Sequence, residues 1–265
     1  MSVVAFGAVR SAGVTTTIAA VAATWPSGRR ALMVEADPAG GTLAACFGLP
    51  TEPGLVSLAA AARRRVNPGL VWAHTQPAPH EGALLLAGPV AAEQARASLD
   101  MTGDLLAGLG RLDADVLVDC GRLDPASTAL PLFAAADVAV LVVRPQLPDL
   151  QHLADWLQRR RPAAAELGAV LVGPAGFAAA DIAETLGVPV WAQLPHDPAG
   201  VAALSAGPSR GLSCRQLARH ARNLAETLTA RLPRRDAVAE PVRTVAGGGI
   251  DEPAVTGPHR TAATR

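Results

Sequence analysis

The sequence predicts a doubly wound α/β fold, a mostly parallel sheet with helices on both faces. Short Val- and Leu-rich runs recur without polar alternation, as strands covered on both sides require. Helical stretches separate them, so successive strands need crossovers and pair in parallel. Three of the runs end in turns of small or acidic residues, and open α/β sheets hold their ligands at such carboxyl ends.

Strands are expected at Val3–Ala8, Ala31–Glu35, Ala83–Ala87, Val116–Asp119, Val138–Val143, Ala169–Val172 and Val188–Gln193. Each is short and apolar. Helices are expected at 15–25, 55–65, 90–109, 149–161, 178–186 and 212–232. The first opens on threonines and continues Ile18-Ala19-Ala20-Val21; the last places Leu217, Ala221, Leu224 and Leu228 on one face. Beyond Pro233 the apolar period is lost among Pro, Gly, Thr and charged residues. The reading is one domain over 1–232 and a disordered tail over 233–265. There is no internal repeat.

The 265 residues suffice for a full core, and 50% of them are hydrophobic. Tyrosine is absent, and all 23 basic residues are arginine, which together with abundant Ala, Gly and Pro points to a GC-rich genome. The formal net charge is zero, so no global field steers the chain to nucleic acid or anionic membrane. Cys46, Cys120 and Cys214 form no C-x-x-C, which fits a reduced, cytoplasmic setting. The start lacks a basic n-region and Arg10 interrupts the first apolar run, so no signal peptide is expected. No uncharged apolar run reaches the roughly 18 residues of a transmembrane helix.

The first strand runs into Gly7-Ala8-Val9-Arg10-Ser11-Ala12-Gly13-Val14-Thr15-Thr16-Thr17 and then a helix. Strand, small-residue loop and threonine-led helix are the parts of a phosphate-binding loop, whose backbone N–H groups receive anions. The pattern G-x-x-x-x-G-K-[ST] expects lysine where this chain has Val14. Two further strand ends carry carboxylates: Glu35-Ala36-Asp37-Pro38-Ala39-Gly40-Gly41 and Asp119-Cys120-Gly121. An aspartate closing a buried strand beside such a loop is the usual partner of a magnesium ion, and the Thr15 hydroxyl is placed to join it. For Asp37 and Asp119 the competing reading is a helix cap or turn former, which suits Asp37-Pro38 well.

In this order the motifs resemble the ParA/MinD superfamily of P-loop ATPases, whose deviant loop reads K-G-G-V-G-K-T-T-T. Val9 to Thr17 is the ungapped match, followed by Glu35 to Gly40 and by Asp119-Cys120-Gly121. Val138–Val143 with Arg144-Pro145, and Val188 to Asp197, resemble the family's final strands, so the likeness spans about 1–230. The resemblance implies an ATP or ADP site with Mg²⁺ formed by Arg10, Ser11, Ala12, Gly13, Val14, Thr15, Thr16 and Pro195. It implies Thr15 and Asp119 at the metal, and Asp37 positioning water. It further implies a homodimer, a protein partner and recruitment to membrane or nucleoid through that partner. Both family lysines are missing, one at Val14 and the cross-dimer signature lysine at Val9. Losing a buried ionic partner costs about 2–5 kcal/mol, so binding weakens and hydrolysis suffers more. Arg10 is the nearby cation, either a substitute or a solvated loop residue. TadZ/CpaE proteins of Tad-type pili, degenerate at the same loop, are the model for a pseudo-ATPase scaffold serving a pilus or secretion assembly.

Other features are weaker. Arg215, Arg219 and Arg222 form a stripe suited to nonspecific DNA phosphates, or to a solvated face in which Glu226 pairs with Arg222. The histidines at 74, 80, 152, 196, 220 and 259 lack metal-ligand spacing. Ser57 lacks the second glycine of a nucleophile elbow. Arg63-Arg64-Arg65 suits a helix C-terminus. A dinucleotide enzyme with Glu35 on a ribose is disfavoured because no G-x-G-x-x-G is present.

Overall fold

Burial along whole strands organises the molecule, which a computed structural model describes over residues 2–62, 65–174, 176–205 and 215–233. In chain order the elements begin β1 (Val3–Ala8), α1 (Val14–Ala22), β2 (Ala31–Glu35), α2 (Leu43–Cys46), α3 (Leu55–Ala61), α4 (Pro68–Ala73), β3 (Gln76–Pro77) and β4 (Ala83–Leu86). They continue α5 (Ala92–Leu99), α6 (Thr102–Leu109), β5 (Asp115–Arg122), α7 (Leu130–Ala134), β6 (Val138–Val143) and α8 (Leu147–Arg159). The last are β7 (Glu166–Val172), α9 (Ala179–Leu186), β8 (Val190–Leu194), α10 (Pro198–Ser205) and α11 (Gln216–Thr229). The described residues belong to one compact unit, Met1–Arg234. The tail expected from 233 lies, from residue 234 onward, outside the described residues.

The sheet order is β3-β4-β2-β5-β1-β6-β7-β8, parallel except for the antiparallel edge strand β3. Such an edge tolerates Pro77, which has no N–H to donate. Strands β1, β2 and β6 are buried at every residue. Successive side chains still divide between two cores. Val3 and Ala5 join the face under α3 to α9, whereas Val4 and Phe6 join the face under α1, α2, α10 and α11.

The seven expected strands are present. The eighth, β3, is two residues long and gives no periodic signal. The last strand starts at Val190 rather than Val188, because Gly187 (φ 61°) ends α9 and Pro189 follows. The expected helix over 90–109 divides into α5 and α6. Ala95 and Leu99, then Leu105 and Leu109, face the core, and the six-residue step from 99 to 105 breaks the helical repeat. Helices α2, α4 and α7 are too short for periodicity to reveal, and α10 (Pro198–Ser205) was not expected. On α11, Leu217, Ala221, Leu224 and Leu228 are buried and Arg219 and Arg222 exposed, as is Arg215 at its N-cap, as the stripe requires. Among the described residues, Glu226 makes no ion pair with Arg222. Arg63, Arg64, Cys214 and His259 lie outside the described residues.

Helix α8 is anchored by Trp156, whose Nε1 donates to the Leu123 carbonyl at 2.9 Å and whose ring meets Phe133 of α7 edge-on. Trp156→Ala is expected to cost roughly 3–5 kcal/mol, read as a denaturant midpoint shift. A loss below about 1 kcal/mol would show that α8 is held elsewhere.

Candidate functional site

Three neighbouring strands, β2, β5 and β1, deliver their carboxyl ends to one place. In register, Glu35 lies opposite Asp119, and Asp119 opposite Phe6 just before the loop. The loop closes on Gly13 at φ 85°, the left-handed conformation that glycine adopts without penalty. Gly13 caps α1 without a side-chain bond, and the first helical residues, Val14, Thr15 and Thr16, line the cleft.

That cleft has a volume of about 620 Å³. Arg10, Ser11, Ala12, Gly13, Val14, Thr15 and Thr16 line one wall, and Asp37, Pro38 and Ala39 another. Asp119 is buried beneath them. Thr15 Oγ1 donates to Asp119 Oδ2 at 2.6 Å, and the Gly121 N–H donates to Oδ1 at 2.9 Å. Pro195 follows β8 at the far side of the sheet and is not among the residues lining the cleft.

Burial pushes the Asp119 carboxyl up to about 7. The Thr15 hydroxyl and Gly121 N–H counter this, and Asp37 and Glu35 add to the rise. Burial also raises Asp37, against the Ala39 N–H and the charge of Arg122. Asp37 Oδ1 accepts from the Ala39 N–H at 2.8 Å, so it forms the expected turn while bordering the cleft. Gly121, at φ 56°, leaves no room for a side chain, since a Cβ there would collide with the Asp37 carboxyl.

Glu35 has a different task. It accepts from Thr42 N and Leu43 N at 2.6 Å each and from Gly88 N at 3.0 Å. With both oxygens occupied and the residue 2% exposed, it pins two loops and offers nothing to a ribose.

The missing lysine leaves no direct substitute in the loop. Val14 is 7% exposed and packs into the core beneath α1. Arg10 borders the cleft, but its Nε is bound to Asp149 Oδ1 at 2.9 Å. Arg144 Nε holds the other oxygen at 2.7 Å, so two arginines share one buried carboxylate. Two cleft cations were not foreseen from the sequence. Arg122 stands three residues beyond Asp119, a position readable from the strand end. Arg96 arrives from α5 through tertiary packing alone.

Elsewhere, Ser57 Oγ lies 2.8 Å from His74 Nδ1 but also caps α3 through Gly54. Among the described residues no group of His, Cys, Asp or Glu forms a metal cluster, and no helix is long and apolar enough to cross a membrane.

By sequence, no protein-family model matches the chain and no curated protein aligns with it significantly. By structure, the likeness is clear. A ParA family ATPase from Chlorobium tepidum superposes with a TM-score of 0.70 at 17% identity, over 85% of this chain and 97% of that one. The septum site-determining protein MinD from Pyrococcus horikoshii, complexed with Mg-ADP, gives 0.68 at 19% identity, over 85% and 94%. A Cyanothece McdA in complex with ATP gives 0.66 at 16%, over 87% and 96%. The fold is that of the ParA/MinD ATPases.

Asp119→Asn is expected to raise the melting temperature of the unliganded protein, because it removes a carboxylate that burial disfavours. With the folded value raised above the ordinary one near 3.8 to about 7, the native state prefers the protonated acid. The gain is therefore largest above pH 7 and fades as pH falls toward 4. A pH-independent shift, or destabilisation at pH 8, would contradict this account.

Proposed function

We propose that the cleft binds ATP or ADP with Mg²⁺ and that the chain is a nucleotide-binding positioning or partition protein of the ParA/MinD kind. The contact of Thr15 Oγ1 with Asp119 Oδ2 at 2.6 Å carries this reading, because it joins the loop hydroxyl to the strand-end carboxylate. Two hard oxygen donors suit Mg²⁺, which fills its remaining positions with water and substrate phosphate. The bound ion would neutralise charge on the phosphates. The loop N–H groups would hold their oxygens, and Asp37 would border the water side.

Binding rather than turnover is the proposed signal. Val14 leaves the β- and γ-phosphates without a lysine, and Val9 leaves the cross-dimer position apolar. On this reading the active species is a homodimer that recruits a protein partner and, through it, reaches membrane or nucleoid. The exposed Arg215, Arg219 and Arg222 are expected to bind DNA weakly or not at all, given the zero net charge.

One observation favours a second reading, a pseudo-ATPase scaffold of the TadZ/CpaE kind for a pilus or secretion assembly. Val14 belongs to the core, and Arg10 is committed to Asp149. A loop used in this way holds its shape without ligand.

Thermal shift with ATP, ADP and NAD, each with and without Mg²⁺, separates these readings. Nucleotide at a hundred times its Kd adds about 2.7 kcal/mol of stability. The expected result is a Mg²⁺-dependent rise with ATP or ADP, none with NAD, and no ATP turnover above background. Val14→Lys should tighten ATP binding, since the lysine stem can replace valine while its ammonium reaches the cleft. Failure of both ATP and ADP to shift the wild type, with no gain from Val14→Lys, leaves the scaffold.

A further inference from the structure

We propose that Arg122 supplies the phosphate-binding cation of the cleft, delivered by the end of β5 in place of a loop lysine. The inference rests on the nucleotide reading above and names the residue on which the polyphosphate would depend.

Strand parity places it there. Along β5, Val116, Val118 and Cys120 belong to the core under α3 to α9, and Leu117 to the core under α1. Continued alternation would send Arg122 to the first of these faces. The register with β1 instead shifts: Phe6 faces Asp119, but Ala8 faces Arg122, so two steps on β1 match three on β5. The extra residue is absorbed at Gly121, whose φ is 56°. A bulge of this kind re-aims the side chains beyond it. Leu123 consequently enters the core of the Val116 face, and Arg122 turns into the cleft.

The side chain then reaches the loop. Arg122 Nη2 comes within 3.5 Å of Ser11 Oγ, and its charge is felt by Asp37. Its backbone is held as well, because the next N–H, that of Leu123, donates to the Ala8 carbonyl at 2.9 Å. Among the described residues three arginines border the cleft, and Arg10 is bound to Asp149. Arg96 lies on α5, outside the strand end that carries Asp119. Arg122 alone shares a strand end with the Thr15-bonded carboxylate and touches the loop. A planar guanidinium with several donors suits two oxygens of a di- or triphosphate.

The test is fluorescent-nucleotide binding to the full chain with Mg²⁺, using ATP, ADP and AMP on wild type, Arg122→Ala, Arg122→Gln and Arg122→Lys. Arg122 is exposed, so unliganded variants should melt with the wild type. The expected result is a loss of roughly 10- to 100-fold for ATP and ADP in the Ala and Gln variants, little change for AMP, and partial recovery in the Lys variant. Equal ATP affinity in wild type and Arg122→Ala would overturn the assignment and leave the nucleotide reading intact. Equal losses for ATP and AMP would also overturn it, since Arg122 would then act through loop structure. No nucleotide binding by the wild type would remove both.

Discussion

The hydroxyl of Thr15 meets the carboxylate of Asp119 at the end of a central strand, and the arrangement of the cleft follows from that contact. It ties the first turn of α1 to the end of β5. The Gly121 N–H holds the second oxygen, so the acid is positioned from both sides. This order has an electrostatic cost: the carboxylate has left water and sits near Asp37 and Glu35, which favours its protonated form. A buried acid kept at a strand end against that cost is the feature on which the proposed cation site rests.

The other charges are distributed consistently. Glu35 is consumed by three backbone N–H groups, and Asp149 by Arg10 and Arg144. Among the described residues Arg96 and Arg122 make no ion pair; they line the cleft beside Asp37 and Asp124, with Asp119 buried beneath. On the nucleotide reading, a polyanion entering from solvent would be drawn by those arginines and the loop N–H groups. The acids would repel it unless a metal ion lay between, which is the role proposed for the Thr15–Asp119 pair.

Much of this was legible in the sequence because parallel strands buried on both faces read as apolar runs and end in recognisable turns. Asp119 and Thr15 could be paired in advance since both sit beside a strand end in the order that a phosphate site requires. Arg10 could not be placed, because its partner Asp149 is far along the chain and becomes a neighbour only when β6 lies beside β1. Glu35 offered a ribose-binding reading that burial removed. The division of 90–109 into two helices was not read from the sequence, because the alanines there blur the six-residue slip between Leu99 and Leu105. Arg96 had no local signal at all.

Position 14 holds valine in a chain without any lysine, all 23 basic residues being arginine. Arginine cannot simply take the lysine position in such a loop. Its guanidinium is planar and wide, whereas the lysine ammonium is a compact charge on a flexible stem. A lysine-free chain that retains a phosphate site must bring its cation from a position with room for the fork. The end of β5 provides one, because the bulge at Gly121 turns the next side chain across the cleft mouth toward Ser11. Glycine at 121 serves that bulge and also leaves space for Asp37. Backbone conformation at one residue thus sets the place of both the cation and the second carboxylate of the cleft.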